Sequence, residues 1–188
     1  MGIENSQKLV QPVVEKVNKR FGDAEYTTEE KVSLEESIVN LMKEKKLTLG
    51  VAESCSGGML SARIINVPGV SDVYKAGFVT YANEAKHKLI GVSNATLEQF
   101  GAVSEETARE MVQGTLRAAE SDYAVAITGI AGPDGGTDKK PVGLVYIACG
   151  NKDRITVKEC KFNGNRNKVR QSSVAYALRL LREEVMKN

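Results

Sequence analysis

Hydrophobic positions form two kinds of segment along the chain, and the two kinds alternate from residue 47 onward. Short apolar runs predict buried strands at residues 47–53, 76–82, 123–127, 142–149 and 154–162. Between them, apolar residues spaced three and four apart predict helices after the glycine pair at 57–58, after Asn83, over 96–100, from Ser104, and over 165–186. We therefore predict an α/β fold, a mixed and mostly parallel sheet with a C-terminal hairpin. Helices on both faces make it a three-layer sandwich.

The first 32 residues differ from the rest. They carry one helical stripe of apolar residues (Leu9, Val10, Val13, Val14 and Val17), which a polar stretch separates from the next helix. That next helix starts with a capping box, in which Ser33 caps the helix and Glu36 reaches back to the cap amide. We predict a helical appendage over residues 1–32 and one main domain over residues 33–188.

Composition limits the class of protein. The 188 residues carry a formal net charge of +2, with 41% hydrophobic and 27% charged residues, as in an ordinary folded domain. No apolar run approaches the ~18–20 residues of a membrane span, and the polar first residues lack a signal core, so we expect a cytoplasmic protein. The balanced charge, the lack of Trp and the 5% aromatic content argue against a nucleic-acid partner.

Motifs for several common chemistries are missing. The three cysteines, Cys55, Cys149 and Cys160, are scattered, so we expect neither a disulfide framework nor a metal site. The sequence has no GxGxxG fingerprint and no phosphate-binding P-loop motif. His87 is the single histidine, and its charged surroundings indicate a solvated helix position rather than a catalytic base.

Three predicted loops at the carboxyl ends of strands carry the candidate chemistry. Ser54–Gly58 is a strand-to-helix turn whose glycines and helix N-terminus offer N–H groups to an oxyanion. Thr80–Lys86 places Lys86 in the first turn of a helix, where the dipole disfavours its protonated form. Thr128–Gly136 can present backbone amides to a phosphate.

Serine, lysine and tyrosine together suggest nucleophilic catalysis. A serine hydroxyl must lose its proton to a neighbour, and a desolvated neutral lysine can take it where no histidine is available. The residues alone leave plainer interpretations open: Ser54 as a helix cap, Tyr81 as a packing residue and Lys86 as a solvated lysine. Cys55 is a rival nucleophile.

Four segments, ESCSGG, GFVTYANEAKHKLIGV, FGAVSEETA and ITGIAGPDGG followed by KPVGLVY, occur in this order. They resemble the CinA C-terminal domain family over about residues 47–181, and residues 1–32 resemble the end of the linker that precedes this domain. Characterised members are nicotinamide-mononucleotide (NMN) amidohydrolases. The resemblance implies Ser54 as nucleophile with Tyr81 and Lys86 as its catalytic partners. Ser56 stands where members commonly have Thr.

The resemblance also implies a proton path, donors for the oxyanion and a set of residues that contact the substrate. Lys86 takes the Ser54 proton directly or through Tyr81, and the amides near Gly57 and Gly58 hold the oxyanion. The residues expected to contact substrate are Ser56, Thr128, Gly129, Ala131, Gly132 and Arg166. For Arg166 the plainer interpretation is a solvated residue at the start of the last helix.

We expect deamidation of NMN to nicotinic acid mononucleotide and ammonia, no cofactor, and a homo-oligomer, with a dimer favoured. The alternative function is a non-catalytic module that binds a nucleotide or a competence-associated protein. The same pocket would then recognise a phosphorylated ligand without turning it over.

Overall fold

A computed structural model describes residues 12–13, 15–16 and 32–187. Residues 12, 13, 15 and 16 are helical. The rest of the proposed appendage lies outside the described residues, and the division at residue 32 stays a prediction.

Five strands and six α-helices lie within residues 32–187. The strands are β1 (Leu49–Glu53), β2 (Tyr74–Val79), β3 (Tyr123–Gly129), β4 (Leu144–Gly150) and β5 (Ile155–Lys161). The helices are α1 (Leu34–Glu44), α2 (Met59–Ile65), α3 (Asn83–Ile90), α4 (Asn94–Phe100), α5 (Glu105–Ala119) and α6 (Arg166–Met186). A short 3₁₀ helix covers Val70–Asp72.

The sheet confirms the predicted mixed topology. Its strand order is β2-β1-β3-β4-β5, with β2, β1 and β3 parallel and with β4 and β5 antiparallel as the C-terminal hairpin. Glu53 at the end of β1 lies opposite Val79 of β2 on one side and Ile127 of β3 on the other. The segments that follow these three strands therefore start side by side at one edge of the sheet.

Each face of the sheet has its own apolar core, and the three-layer prediction is confirmed. On β3, Val125 and Ile127 belong to the core beneath α1, α2 and α6, whereas Ala124 and Ala126 belong to the core beneath α3, α4 and α5. This alternation is the period of two expected for a strand buried on both faces. The alanines leave little bulk on the second face, which lets α5 pack closely on the sheet.

Three of the six α-helices start at a residue whose side chain caps the helix. Ser33 accepts the Glu36 amide, Ser104 accepts the Thr107 amide, and Asn165 accepts the Lys168 amide. The sequence predicts that α3 starts after Asn83, with Asn83 as its cap. This is wrong, because Ala82 occupies the cap position and Asn83 is the first helical residue. Within the part of the chain that the structure describes, no helix has the length and apolar character of a membrane span.

A candidate active site at the carboxyl edge of the sheet

A cavity of about 260 Å³ lies where the segments after β1, β2 and β3 meet the start of α6. Most of the residues that the sequence singled out line it, namely Ser54, Tyr81, Lys86, Thr128, Gly129, Ala131, Gly132 and Arg166. The others in the lining are Cys55, Ala102, Val103, Ile130, Asp134 and Gly135. Ser56, Gly57 and Gly58 are not among them.

Ser54 and Lys86 form the centre of this cavity. Lys86 Nζ lies 3.2 Å from Ser54 Oγ, 2.9 Å from the Thr80 carbonyl oxygen and 3.3 Å from the Tyr81 carbonyl oxygen. A neutral amine has two N–H groups and one lone pair, and this set of three oxygens suits it. The carbonyls accept the two N–H groups, which leaves the lone pair for the Ser54 hydroxyl proton.

Burial changes the protonation of the lysine. Lys86 is fully buried, and desolvation lowers its pKa from 10.5 to about 8. The three oxygens around Nζ are uncharged, so they compensate the ammonium form less than a carboxylate would. Roughly a tenth of the amine is therefore neutral at pH 7, far more than in a lysine with an ordinary pKa.

Cys55, the rival nucleophile, has a thiol that stays protonated at neutral pH. The Cys55 side chain is buried beside Ser54, and burial raises the pKa of its thiol to about 11. Because the thiolate is the reactive form, this thiol is a weak nucleophile at neutral pH. His87, on α3, bonds through Nδ1 to the Val92 carbonyl at 2.8 Å and does not line the cavity.

Glu53 is a residue that the sequence analysis missed. Its fully buried carboxylate accepts the amides of Gly58, Leu60 and Ser61 and the Ser61 hydroxyl, at 2.8–3.1 Å. It thereby caps α2 from the residue directly before the nucleophile, a favourable place for a negative charge. Gly58 permits this, since it adopts φ +92°, which other residues rarely do.

The expected oxyanion donors need correction. The Gly57 amide bonds to the Ser54 carbonyl at 3.1 Å, and the Gly58 amide bonds to Glu53 at 3.1 Å, so neither is free for a ligand. Within residues 32–187, the Ser56 amide donates no hydrogen bond, and the Cys55 amide bonds to its own thiol. Among the described residues of the turn, Ser56 therefore has the amide that remains unpaired.

Ser56 also differs from the expectation that it contacts substrate. Its side chain is fully buried outside the cavity lining, and its Oγ has no hydrogen-bond partner among the described residues. In this structure the hydroxyl is therefore an interior group and does not reach the pocket.

Two arginines of α6 face the site, one helical turn apart. Arg166 donates from Nη1 to the Gly132 carbonyl at 2.8 Å and from Nη2 to the Tyr81 hydroxyl at 3.3 Å. Arg170 donates to the Cys55 carbonyl at 3.1 Å and to the Ser56 carbonyl at 2.8 Å. The sequence analysis missed Arg170, although its spacing of four from Arg166 places it on the same helix face.

Tyr81 is joined to the site differently from Lys86. Its side chain is 61% exposed and its hydroxyl accepts from Arg166, whereas its backbone carbonyl accepts from Lys86. The direct contact between Ser54 and Lys86 needs no relay, so the shorter of the two expected proton paths is the one the geometry favours.

The loop after β3 supplies unoccupied donors. The Thr128 hydroxyl bonds to the Ala102 carbonyl at 2.6 Å, which joins the end of β3 to the segment before α5. In residues 32–187, the amides of residues 131, 132 and 134–136 donate no hydrogen bond. Within the same part of the chain, no three His, Cys, Asp or Glu side chains are grouped as metal ligands.

Taken together, the fold and the site define an α/β protein with a buried serine–lysine pair at the carboxyl edge of a mixed sheet. The sequence model of the CinA C-terminal domain family matches residues 31–185. The chain belongs to the CinA C-terminal domain family.

Relatives of this family are similar over nearly the whole chain. A putative competence-damage inducible protein of Clostridium beijerinckii is 47% identical over 184 residues, which are 98% of this chain and 45% of that protein. The corresponding protein of Alkaliphilus oremlandii is 45% identical, over 97% of this chain and 44% of its own length. The chain thus spans less than half the length of these curated relatives.

Solved structures of the family share the fold. The competence/damage inducible protein CihA from Agrobacterium tumefaciens is 39% identical with a TM-score of 0.77, covering 79% of this chain and 91% of that one. A CinA superfamily protein from Escherichia coli is 34% identical with a TM-score of 0.76, covering 86% and 97%.

Proposed function

We propose that the chain is an amidohydrolase that deamidates nicotinamide mononucleotide to nicotinic acid mononucleotide and ammonia. The observation that carries this proposal is the 3.2 Å contact between Ser54 Oγ and the buried Lys86 Nζ inside an open cavity. A buried lysine with a lowered pKa beside a serine hydroxyl fits an activated nucleophile and has no evident structural purpose.

In the first step, neutral Lys86 takes the Ser54 proton while Oγ attacks the carboxamide carbon of the substrate. The carbonyl oxygen becomes an oxyanion, which the unpaired Ser56 amide would receive together with the neighbouring Cys55 amide. The lysine, now an ammonium, gives its proton to the amide nitrogen. The C–N bond breaks, ammonia leaves, and an ester with Ser54 remains.

In the second step, water replaces the amine. Lys86 is neutral again and removes a proton from the attacking water. The acyl C–O bond to Ser54 breaks, and the lysine returns the proton to Ser54 Oγ, which leaves free Ser54 and a carboxylic acid. The two carbonyls that hold Nζ keep the lysine in place through both steps.

The phosphate of the substrate requires donors at the other end of the cavity. Arg166 lines the cavity with a guanidinium suited to bidentate phosphate binding, and the loop residues Ala131, Gly132, Asp134 and Gly135 line the same cavity. The tyrosine hydroxyl that accepts from Arg166 would hold the guanidinium toward the cavity.

A competence-associated interaction is the rival function, since the relatives are named competence-damage inducible proteins. A module that only binds a partner has no need of an uncharged buried amine against a serine hydroxyl. The Ser54–Lys86 contact therefore favours the enzyme.

The deciding experiment measures ammonia and nicotinic acid mononucleotide formed from NMN by the purified chain. The wild type and Ser71→Ala, which changes an exposed serine remote from the cavity, should turn over alike, and Ser54→Ala should lose at least about a thousandfold. Absence of turnover by the wild type would reject the substrate. Equal turnover by Ser54→Ala would reject the nucleophile.

A further inference from the structure

We propose that Arg170 is a positioning residue that holds the nucleophile turn, residues Ser54–Gly58, in the geometry that stabilises the oxyanion. The inference rests on the proposed function, because an oxyanion arises only if Ser54 attacks a carbonyl or a similar centre. It adds a residue that lies outside the cavity lining and would act only through the backbone.

The contacts of Arg170 are specific to this turn. Nε donates to the Cys55 carbonyl at 3.1 Å and Nη2 donates to the Ser56 carbonyl at 2.8 Å, across about 115 residues of sequence. The planar guanidinium therefore binds two consecutive peptide groups at once. Lysine, a single point donor, could not hold both in the same relative orientation.

Peptide planarity transmits this hold to the amides. In a trans peptide the carbonyl and the N–H of the same unit point in opposite directions. Fixing the Cys55 carbonyl toward Arg170 therefore turns the Ser56 N–H away from α6. The orientation of that N–H is thus set by a residue 114 positions later in the chain.

The backbone N–H of Ser56 is buried and unpaired within the described part of the chain, so it can donate to a ligand. Ser56 is fully buried, and within residues 32–187 its N–H donates no hydrogen bond. Buried backbone N–H groups are nearly always paired, and an unpaired one two residues from a nucleophile is what a developing oxyanion requires. The opposite side of the turn is held by Glu53 through the Gly58 amide, so the turn is fixed at both ends.

The positive charge of Arg170 also favours negative charge near the turn. Burial is the dominant influence on the Cys55 thiol and raises its pKa, and the Arg170 charge is among those that oppose this rise. A cation that favours negative charge at residue 55 also favours it on an oxygen held by the neighbouring amides.

The test compares Arg170→Ala and Arg170→Lys with Arg179→Ala, which removes an arginine from the same helix away from the site. With NMN, Arg170→Ala should lower kcat about ten- to a hundredfold and change KM less than about threefold. Millimolar guanidinium should restore part of the kcat of Arg170→Ala and should not affect Arg179→Ala. Arg170→Lys should keep the fold, by thermal denaturation, and recover little of the kcat.

A second readout separates this inference from the choice of substrate. In labelling by a fluorophosphonate, Ser54 Oγ forms a bond to phosphorus, the P–F bond breaks, fluoride leaves and Lys86 takes the proton. If the wild type is labelled but does not hydrolyse NMN, the proposed function fails and Arg170 is judged on the labelling rate alone. An unchanged rate in Arg170→Ala, or a loss that is confined to KM, or one without guanidinium rescue, overturns the positioning role. A wild type that neither reacts nor hydrolyses overturns both proposals.

Discussion

The turn after β1 and the loop after β3 leave neighbouring parallel strands and border the same cavity, yet their backbones are held in opposite ways. The turn Ser54–Gly58 is fixed by Glu53 on one side and Arg170 on the other. The loop is tied to β4 at Ile130 and to Arg166 at Gly132, and the amides at 131, 132 and 134–136 donate no hydrogen bond within residues 32–187.

This difference matches what each segment has to do in the proposed reaction. A nucleophile and its oxyanion donors must be placed before the substrate arrives, and hydrogen bonds from a buried carboxylate and a guanidinium accomplish that. A phosphate instead needs donors that are not already used. The comparison predicts that changes at the turn affect kcat, whereas changes at the loop side affect KM.

The largest effect should come from Lys86, the base that contacts Ser54 of the turn. Lys86→Met removes the proton acceptor and should lower kcat/KM for NMN by about 10²- to 10⁴-fold. Because the neutral amine is the active form and its pKa is about 8, the wild-type kcat/KM should rise with pH through about 8 and then level off. Steady-state rates from pH 6 to pH 10 check both statements.

Lys88→Met is the matched control, since Lys88 is an exposed lysine of the same helix. It should keep the wild-type profile. A wild-type profile that is flat between pH 7 and pH 9 would contradict a lysine base of this pKa, and so would a Lys86→Met variant as active as Lys88→Met.

The second effect concerns stability and tests whether burial makes the charged form of Lys86 unfavourable in the folded protein. The folded pKa of Lys86 is about 8 and the unfolded value is 10.5, so between these pH values the unfolded chain binds more protons. The free energy of unfolding of the wild type should therefore rise over this range relative to Lys86→Met, by up to about 3 kcal/mol. The difference should be constant below pH 8.

Denaturant unfolding of both proteins at pH 7, 8.5 and 10 measures this difference. An exposed lysine would give no such pH dependence, which is why Lys88→Met serves as the reference again. If the free energies of unfolding of Lys86→Met and Lys88→Met differ by the same amount at all three pH values, Lys86 is not desolvated in the folded protein.

The sequence predicted the order of elements well and the contacts within the site only in part. The strand and helix periods determine the layers. The parallel ends of β1 and β2 bring Ser54 and Lys86 to one cavity, where the start of α6 adds Arg166. The contacts of Arg170 were not predicted, because a hydrogen bond across 115 residues leaves no local pattern. The contacts of Glu53 reach only five to eight residues along the chain, but they depend on the backbone of the turn that follows it.

The free backbone N–H groups of the turn could not be predicted from the sequence either. Gly57 and Gly58 look available in the sequence since glycines permit close backbone approach. Their φ values of +62° and +92° serve instead to shape the turn, and their amides are used within it. Which N–H remains free depends on the three-dimensional partners of every amide in the turn.

Arg166 lies on the side of the cavity that the loop after β3 forms, and its loss should have the third largest effect. Arg166→Ala removes the guanidinium that touches Gly132 and Tyr81, and it should raise KM for NMN about ten- to a hundredfold with a smaller change in kcat. With nicotinamide riboside, which lacks the phosphate, wild type and variant should differ much less. Lys168→Ala, on an exposed lysine one half-turn further along α6, is the matched control.

A different outcome would remove the contrast between the two segments. If Arg166→Ala lowered kcat as strongly for the riboside as for NMN, the guanidinium would act on the reacting end of the substrate. Tyr81 would then have to be considered with it as part of the chemistry, since the two side chains are in contact.

The smallest effect should come from the residue next to the nucleophile. The Cys55 thiol has a pKa of about 11 because it is buried, so it stays protonated at neutral pH and takes no part in attack. Cys55→Ala keeps the backbone that Arg170 holds and should change kcat/KM less than about threefold. A loss of more than about tenfold, or residual turnover in Ser54→Ala that disappears when Cys55→Ala is added, would transfer the nucleophile to sulfur. The expected small change would mean that the backbone at residue 55, and not its side chain, is what the reaction uses.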